Sequence, residues 1–257
     1  MSHDDSIQWQ RYEAKYLITS MQAEYLLDYC RKHLPADPHS AVIPNRQYPI
    51  YSIYLDSPDW INLRDTVERK PMRVKLRIRT YRERHVSAQG LPAFFEVKRK
   101  VLGVIRKTRA KVSAELTAQV VQAGFPAFSH LPKDSKAARE NLNTFLDVRR
   151  RSDAYPAVGV YYTREAYERR DRSGDTTRIS LDRHLSYGLL DSPGSLTCSQ
   201  WRPVPMQGFV ILEVKFTNTF PEWVNQLIHR GEIVRTGFCK YLMCSRGVGQ
   251  SGRSVFA

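Results

Sequence analysis

The chain has 257 residues, 42% of them hydrophobic and 26% charged, enough apolar material for a real core and too much for a disordered polymer. Its 40 Lys and Arg against 26 Asp and Glu give a formal charge of +14, a field that draws phosphates, nucleic acid or anionic bilayers without choosing among them. No apolar run approaches the ~20 residues of a membrane-spanning helix. The four cysteines (Cys30, Cys198, Cys239 and Cys244) form neither a CxxC pair nor a zinc spacing, and no secretory signal precedes them, which predicts reduced thiols in a cytoplasmic protein.

After a polar start, Arg11, Glu13 and Lys15 alternate with Tyr12, Ala14, Tyr16 and Ile18, which predicts a strand over Trp9–Ile18. Thr19-Ser20 then supplies a hydroxyl cap for a helix over Met21–His33 that stops before Pro35, and Pro35–Pro44 reads as a loop. A strand follows over Tyr48–Leu55, ended by the turn cluster Asp56-Ser57-Pro58-Asp59. The next strand, Met72–Tyr81, carries Arg73-Val74-Lys75-Leu76-Arg77-Ile78-Arg79, a cation at every second residue. Beyond a polar loop around Gly90, Ala93–Val101 and Val104–Val112 read as a hairpin about Leu102-Gly103.

Ser113–Ala123 and Lys133–Arg150 read as helices, and Pro156–Arg169 as a long strand rich in Val and Tyr. Thr176–Arg183 and Leu185–Leu190 suggest a hairpin about His184. Gly208–Thr217 is an apolar strand interrupted by Glu213 and Lys215. Short helices are expected over Pro221–His229 and Phe238–Cys244, then a disordered Gly/Ser/Arg tail over Ser245–Ala257. The class is therefore α+β. We expect a single domain over residues 9–244, with about eight mostly antiparallel strands closed into a barrel and helices at its flanks, since closure hides the edges of so large a sheet.

The chemistry lies on the polar faces of these strands. A period of two gathers Arg11, Glu13 and Lys15; Arg73, Lys75, Arg77 and Arg79; Glu96, Lys98 and Lys100; Lys107, Arg109 and Lys111; Arg178, Ser180 and Asp182; and Glu213 with Lys215. A single face of this kind is usually just solvated. A solvated face normally mixes signs, however, and like charges opposite one another destabilise a sheet. The excess of cations over several strands therefore points to a polyanion, with Arg forking onto phosphate oxygens and Lys acting as a point charge. If the faces turn inward they line a basic tunnel, and a few carboxylates there suit Mn2+ or Mg2+ held against a triphosphate. Glu213 and Lys215 are the most telling pair, because charges in so apolar a strand must be paired or bound. No glycine-rich phosphate loop and no Ser-His-Asp arrangement stands out, which removes support for P-loop and nucleophilic chemistry.

The order of motifs resembles the VTC domain, the polyphosphate polymerase branch of the triphosphate tunnel metalloenzyme (CYTH-like) superfamily. The similarity runs through Arg11-Tyr12-Glu13-Ala14-Lys15-Tyr16, Ser52-Ile53-Tyr54-Leu55-Asp56, Lys75-Leu76-Arg77-Ile78-Arg79 and Phe95-Glu96-Val97-Lys98-Arg99-Lys100. It continues through Pro156-Ala157-Val158, Tyr162-Thr163-Arg164, Arg178-Ile179-Ser180-Leu181-Asp182, Leu212-Glu213-Val214-Lys215 and Phe238-Cys239-Lys240-Tyr241.

The resemblance implies an antiparallel barrel around a tunnel, and transfer of the terminal phosphate of ATP to a growing inorganic polyphosphate chain with Mn2+ or Mg2+. It carries Lys15, Arg77, Arg79, Lys98, Arg178 and Lys240 over as the groups that grip triphosphate or product. Arg11, Lys75, Lys100, Arg109 and Lys215 are further phosphate contacts. Glu213 becomes the main metal ligand, with Glu13 and Glu96 secondary. The family often has a second lysine three residues before the one matching Lys240; Gly237 stands there, with Arg235 nearby. The expected partners are ATP and polyphosphate, with no specific nucleic acid and with a charge able to hold the protein against anionic membrane. A hydrolase of the same fold, and a non-catalytic binder of polyphosphate or nucleic acid, are the rival readings.

Overall fold

A computed structural model describes residues 11–86, 90–102, 104–115, 117, 136–206 and 208–250. The elements among them are β1 (Arg11–Thr19), α1 (Ser20–His33), α2 (Pro38–Ala41), β2 (Tyr48–Asp56), α3 (Ile61–Val67), β3 (Met72–Thr80), β4 (Ala93–Val101) and β5 (Val104–Val112). They continue with α4 (Lys136–Arg151), β6 (Tyr155–Arg170), β7 (Thr176–Leu189), β8 (Gln200–Pro203), β9 (Phe209–Thr217), α5 (Glu222–Arg230) and α6 (Lys240–Gln250). The α+β class stands. The hydrogen-bonded path of strands is β1-β9-β7-β6-β2-β3-β4-β5, with β8 on β7. Among the described residues β1 and β5 do not pair with each other, so the sheet is open along this path and the expected barrel closure is not seen. The exposed cations Arg106, Lys107, Arg109 and Lys111 of β5 give one physical reason, because charge along an edge discourages further pairing. No helix among the described residues is long and apolar enough to cross a membrane.

The chain divides into two compact units. The first comprises Met1–Tyr48, Arg164–Arg183 and Met206–Phe238. In it β1 lies antiparallel to β9 from Arg11↔Thr217 to Thr19↔Phe209, and β9 pairs with β7. Alternation turns Ala14, Tyr16, Ile18, Leu212, Val214, Ile179 and Leu181 to one side, where they pack with Leu26, Leu27 and Cys30 of α1 and Val224, Leu227 and Ile228 of α5. The capping hydroxyl of α1 is Thr19: its Oγ1 accepts from Gln22 N at 3.2 Å, and Gln22 Oε1 accepts from Thr19 N at 2.9 Å. Arg235 bridges to Tyr16, and Thr236 Oγ1 accepts from Leu17 N at 2.7 Å. These contacts occupy the edge of β1.

The second unit comprises Pro49–Thr163, His184–Pro205 and Cys239–Ala257. Here β2, β3, β4 and β5 pair in sequence order, and Leu76, Ile78, Phe95, Val97, Ala110 and Val112 form a face that packs on Leu142 and Phe145 of α4. Asp56 is buried and caps α3, accepting from Asn62 N and Leu63 N at 2.9 Å each. Tyr241 of α6 donates its hydroxyl to the same carboxylate. Gly159 and Gly188 leave room for Cys198 and Trp201, whose atoms lie 2.6–3.0 Å from where a Cβ would stand on either glycine.

Several expectations change. The stretch about His184 is one strand, β7, in which His184 is exposed and takes a left-handed φ of 56°, a local signature that mimics a turn. The loop after Pro35 contains α2, and α3 and β8 are short elements whose sequences carry weak periodicity. Helix α6 continues to Gln250 through the first part of the expected disordered tail; residues 251–257 lie outside the described residues. Trp9, most of the helix expected over Ser113–Ala123 and the start of that expected over Lys133–Arg150 also lie outside them. The four cysteines are free thiols, with Cys30, Cys198 and Cys244 buried.

Phe145 is fully buried and meets Phe95 edge-on, with ring centroids 5.1 Å apart. Phe145→Ala is expected to cost about 3–5 kcal/mol of stability, read from the midpoint of urea unfolding, and Phe145→Leu clearly less.

Candidate functional site

In the second unit the cations of β3 meet β4 and β5 in straight cross-strand rows. Tyr54, Arg77, Glu96 and Arg109 form one row, and Lys75, Lys98 and Lys107 form the next. Arg73 opposes Lys100 in a third. Glu96 is buried and anchors the first row: its Oε2 accepts from Arg77 Nε at 2.6 Å, and Oε1 lies 2.6 Å from Lys107 Nζ and 3.2 Å from Arg109 Nε. Burial alone would raise this carboxyl, but Arg77, Arg79 and Lys107 outweigh it and hold it well below the usual carboxylate range. One carboxylate thus serves three cations.

Hydroxyls, aromatic rings and a thiol add further contacts to the cations of this unit. Arg77 Nη1 donates to Tyr54 Oη at 3.0 Å, and Arg79, also buried, donates to Ser52 Oγ at 3.2 Å and to Tyr162 Oη at 3.1 Å. Burial raises the Tyr54 phenol, yet Arg77 and Arg79 together leave it lowered. Lys240, buried at the start of α6, sits 4.9 Å from the centre of the Tyr162 ring. Lys75 Nζ donates to Cys239 Sγ at 3.0 Å. Arg109 lies over Phe94 at 3.6 Å and donates to Tyr81 Oη at 2.9 Å. These contacts fix the side chains in place, in addition to the hold that Glu96 has on Arg77 and Arg109.

In the first unit the polar side of the sheet gathers Glu13, Lys15, Arg164, Asp182, Glu213 and Lys215. Lys15 stands directly opposite Glu213, and Glu213 opposite Ser180; Glu13 opposes Lys215, and Lys215 opposes Arg178. Arg164 is buried and forks onto Asp182 at 2.6 and 2.8 Å, with Nη2 also 3.3 Å from Glu213 Oε2. Lys215 Nζ lies 3.3 Å from the same oxygen, and Lys15 Nζ lies 3.4 Å from Glu213 Oε1 and 3.5 Å from Glu13 Oε1. Burial, helped by Arg164, pulls the Lys215 amine down to about 8 against the raising effect of Glu213. Arg178 belongs to this unit too: its Nη2 donates to buried Asp37 at 2.5 Å and to Tyr48 Oη at 3.2 Å.

The donor set can be tested for a metal. Among the described residues no three His, Cys, Asp or Glu side chains come together as a cage. The bonds between Arg164 and Asp182 are short, whereas Arg164, Lys215 and Lys15 stand 3.3–3.4 Å from Glu213, and Lys15 links it to Glu13. One or two carboxylates with loosely held counter-cations fit a hard divalent ion that takes its other ligands from water and phosphate. Glu96 fits less well. Its oxygens are already committed to Arg77, Lys107 and Arg109, and neutralising cations is the role its contacts support.

The first unit therefore holds Glu13, Lys15, Arg178, Glu213 and Lys215 of the expected site. The second holds Lys75, Arg77, Arg79, Glu96, Lys98, Lys100, Arg109 and Lys240. The side chain of Arg11 lies outside the described residues. Arg164 and Asp37 had been given no part, although a lone Arg inside a buried run (Val158, Val160, Tyr162, Ala166) is the same signal that singled out Glu213. Lys107 was only one of a basic face. At Gly237 a Cβ would meet no atom within 4 Å, so the lysine common in the family is sterically admissible there.

A family model described as the VTC domain matches residues 10–247. No curated protein sequence matches the chain significantly. Among solved structures, a putative adenylyl cyclase from Hippeastrum, whose structure is described as revealing a dominant triphosphatase activity, is similar in fold at a TM-score of 0.51. It shares 14% identity, and the match covers 91% of this chain and 95% of that one.

Lys107 gives the site a pH signature. Desolvation of the amine end where it meets Glu96, although the residue as a whole is exposed, and then Arg77 push it down to about 7 in spite of the Glu96 charge. A bound polyanion favours the charged form, so binding above pH 7 takes up a proton and weakens as pH rises. Affinity for polyphosphate should therefore fall as pH rises above about 7, by up to tenfold per unit. Lys107→Arg, which stays charged, should flatten that slope in titration calorimetry, and the comparison cancels the titration of the phosphate itself.

Proposed function

The chain belongs to the VTC domain family, and on that footing we propose that it is a polyphosphate polymerase, an ATP:polyphosphate phosphotransferase that works in the cationic tunnel implied by the resemblance. The observation that carries this reading is the row of Lys75, Lys98 and Lys107, three lysines directly opposite one another on adjacent strands, with Glu96 the carboxylate beside Lys107. Like charges so placed oppose pairing of the strands, and a chain of phosphates is the ligand class that relieves them.

Phosphoryl transfer asks mainly for positioning and charge neutralisation. The terminal oxygen of a polyphosphate chain attacks the γ-phosphorus of ATP, a new P–O bond forms, the bond to the bridging β–γ oxygen breaks, and ADP leaves. Arg77, Arg79, Lys98 and Lys240 supply fixed donors for phosphate oxygens, with Lys75, Lys100 and Arg109 beside them. Their partners Tyr54, Ser52 and Tyr162 keep them oriented before charge develops, so little reorganisation is needed. Lys15, Arg178 and Lys215 grip phosphate likewise. Glu213, seconded by Glu13, would hold Mn2+ or Mg2+, which when bound neutralises phosphate oxygens. Arg164 turns Glu213 and Asp182 to fixed positions, and Glu96 keeps Arg77 charged and aimed.

A second reading has one observation in its favour: the triphosphatase activity named for the Hippeastrum protein. There water replaces the chain end, and orthophosphate is released. Incubation with ATP and Mn2+, a gel stained for polyphosphate and a parallel assay of free phosphate separate the two. The polymerase reading expects a ladder of long chains. Arg77→Ala should slow its appearance by about 100- to 1000-fold, and Glu213→Gln should abolish the metal dependence of what activity remains. Free phosphate without chains would establish hydrolysis instead. Salt-sensitive polyphosphate binding with neither product would leave a binding module.

A further inference from the structure

The far end of the β4–β5 hairpin has a composition that phosphate transfer does not use. Met72, Val101 and Val104 stand opposite one another across β3, β4 and β5, the last row before the turn, and Leu102 follows. All four are exposed, at 65%, 39%, 59% and 80% respectively. Leu102 takes a left-handed φ of 47° and its N–H donates to Pro71 O at 3.1 Å, so its backbone position is fixed with the side chain outward. Four neighbouring apolar side chains in water at one tip are not accounted for by core packing.

Directly behind the apolar row come cations on both faces of the hairpin. Arg73 and Lys100 form the next row on one face, and Arg99 and Arg106 form the row after it on the other. These two rows contain no carboxylate. The nearest acids in the preceding segment, Asp65 and Glu68, are ion-paired with Lys70 at 2.8 and 3.3 Å.

We propose that this hairpin tip is a membrane-docking element that inserts Met72, Val101, Leu102 and Val104 into the headgroup region of an anionic bilayer while Arg73, Arg99 and Arg106 pair with lipid phosphates. Charge complementarity selects this occupant. A collar of cations repels a second copy of itself and is attracted by a negatively charged leaflet. An apolar tip with long cationic side chains just behind it matches the depth profile of a bilayer surface, where Arg and Lys extend back to the phosphates.

The test is flotation of the full chain with vesicles of phosphatidylcholine alone, and of phosphatidylcholine with about a third phosphatidylglycerol. Binding should require the anionic lipid. Leu102→Asn with Val104→Thr keeps a residue tolerant of positive φ and a β-branched strand residue, so the fold is retained, and it should weaken binding at least tenfold. Arg99→Gln with Arg106→Gln should weaken it about 25-fold, roughly fivefold per cation. Lys111→Gln, at the other end of β5 about 23 Å along the strand, should change it less than twofold, since its charge is outside the Debye length from the tip. The proposal is overturned if Leu102→Asn with Val104→Thr binds like the parent, because charge alone then suffices. Equal losses from Lys111→Gln and from the collar variant would overturn it too. So would a dimer in analytical ultracentrifugation that Leu102→Asn dissolves, which would assign the tip to a second copy of the chain.

Discussion

Like charge packed against like charge is the constraint on which this structure turns. A sheet brings residues on neighbouring strands to within about 5 Å, and β3, β4 and β5 use that spacing to align Lys75 with Lys98 and Lys107, and Arg73 with Lys100. The unit tolerates this because the opposite face is apolar and well packed, through Leu76, Ile78, Phe95 and Val97 on Leu142 and Phe145. Stability comes from one side of the sheet, and the charge is gathered on the other. Glu96 sets the balance between them, since losing its charge would leave Arg77, Lys107 and Arg109 without their shared counter-ion.

The first unit solves the same problem with more carboxylates. Arg164 and Asp182 form a buried bidentate pair, and Glu213 stands beside them with longer contacts to Arg164, Lys15 and Lys215. Short bonds mark groups whose geometry is settled, and long ones mark groups able to exchange partners. That difference in distance sets Asp182, tightly forked by Arg164, apart from Glu213. Arg178 follows the first pattern: Asp37 and Tyr48 hold it in a fixed position.

Much of this was legible in the residues. Period-two alternation located β1, β3, β4, β5 and β9 to within a residue or two, since one face of each is buried and the other charged. Thr19 announced α1, and the order of the motifs pointed to the family that the match over residues 10–247 then established. Elements without periodicity were not legible. Helix α3 depends on Asp56, which reads as a turn residue until its contacts with the Asn62 and Leu63 amides are seen. His184 looked like a hairpin turn because an exposed polar residue with positive φ has the local character of one. Pairings between distant residues, such as Arg178 with Asp37 or Tyr241 with Asp56, leave no trace in either segment alone.

The partnership of β1 with β9 reaches beyond the folded state. Arg11 faces Thr217 and Thr19 faces Phe209, so the first strand finds its neighbour about 200 residues later in the chain. During synthesis β1 must wait for about 200 further residues before its amides find their ladder. Contacts this distant in sequence make folding slow and leave an unpaired edge open to wrong associations. Glu13 and Lys15, alternating along that strand, therefore also act as gatekeepers: they interrupt the apolar surface that the waiting strand offers to wrong partners.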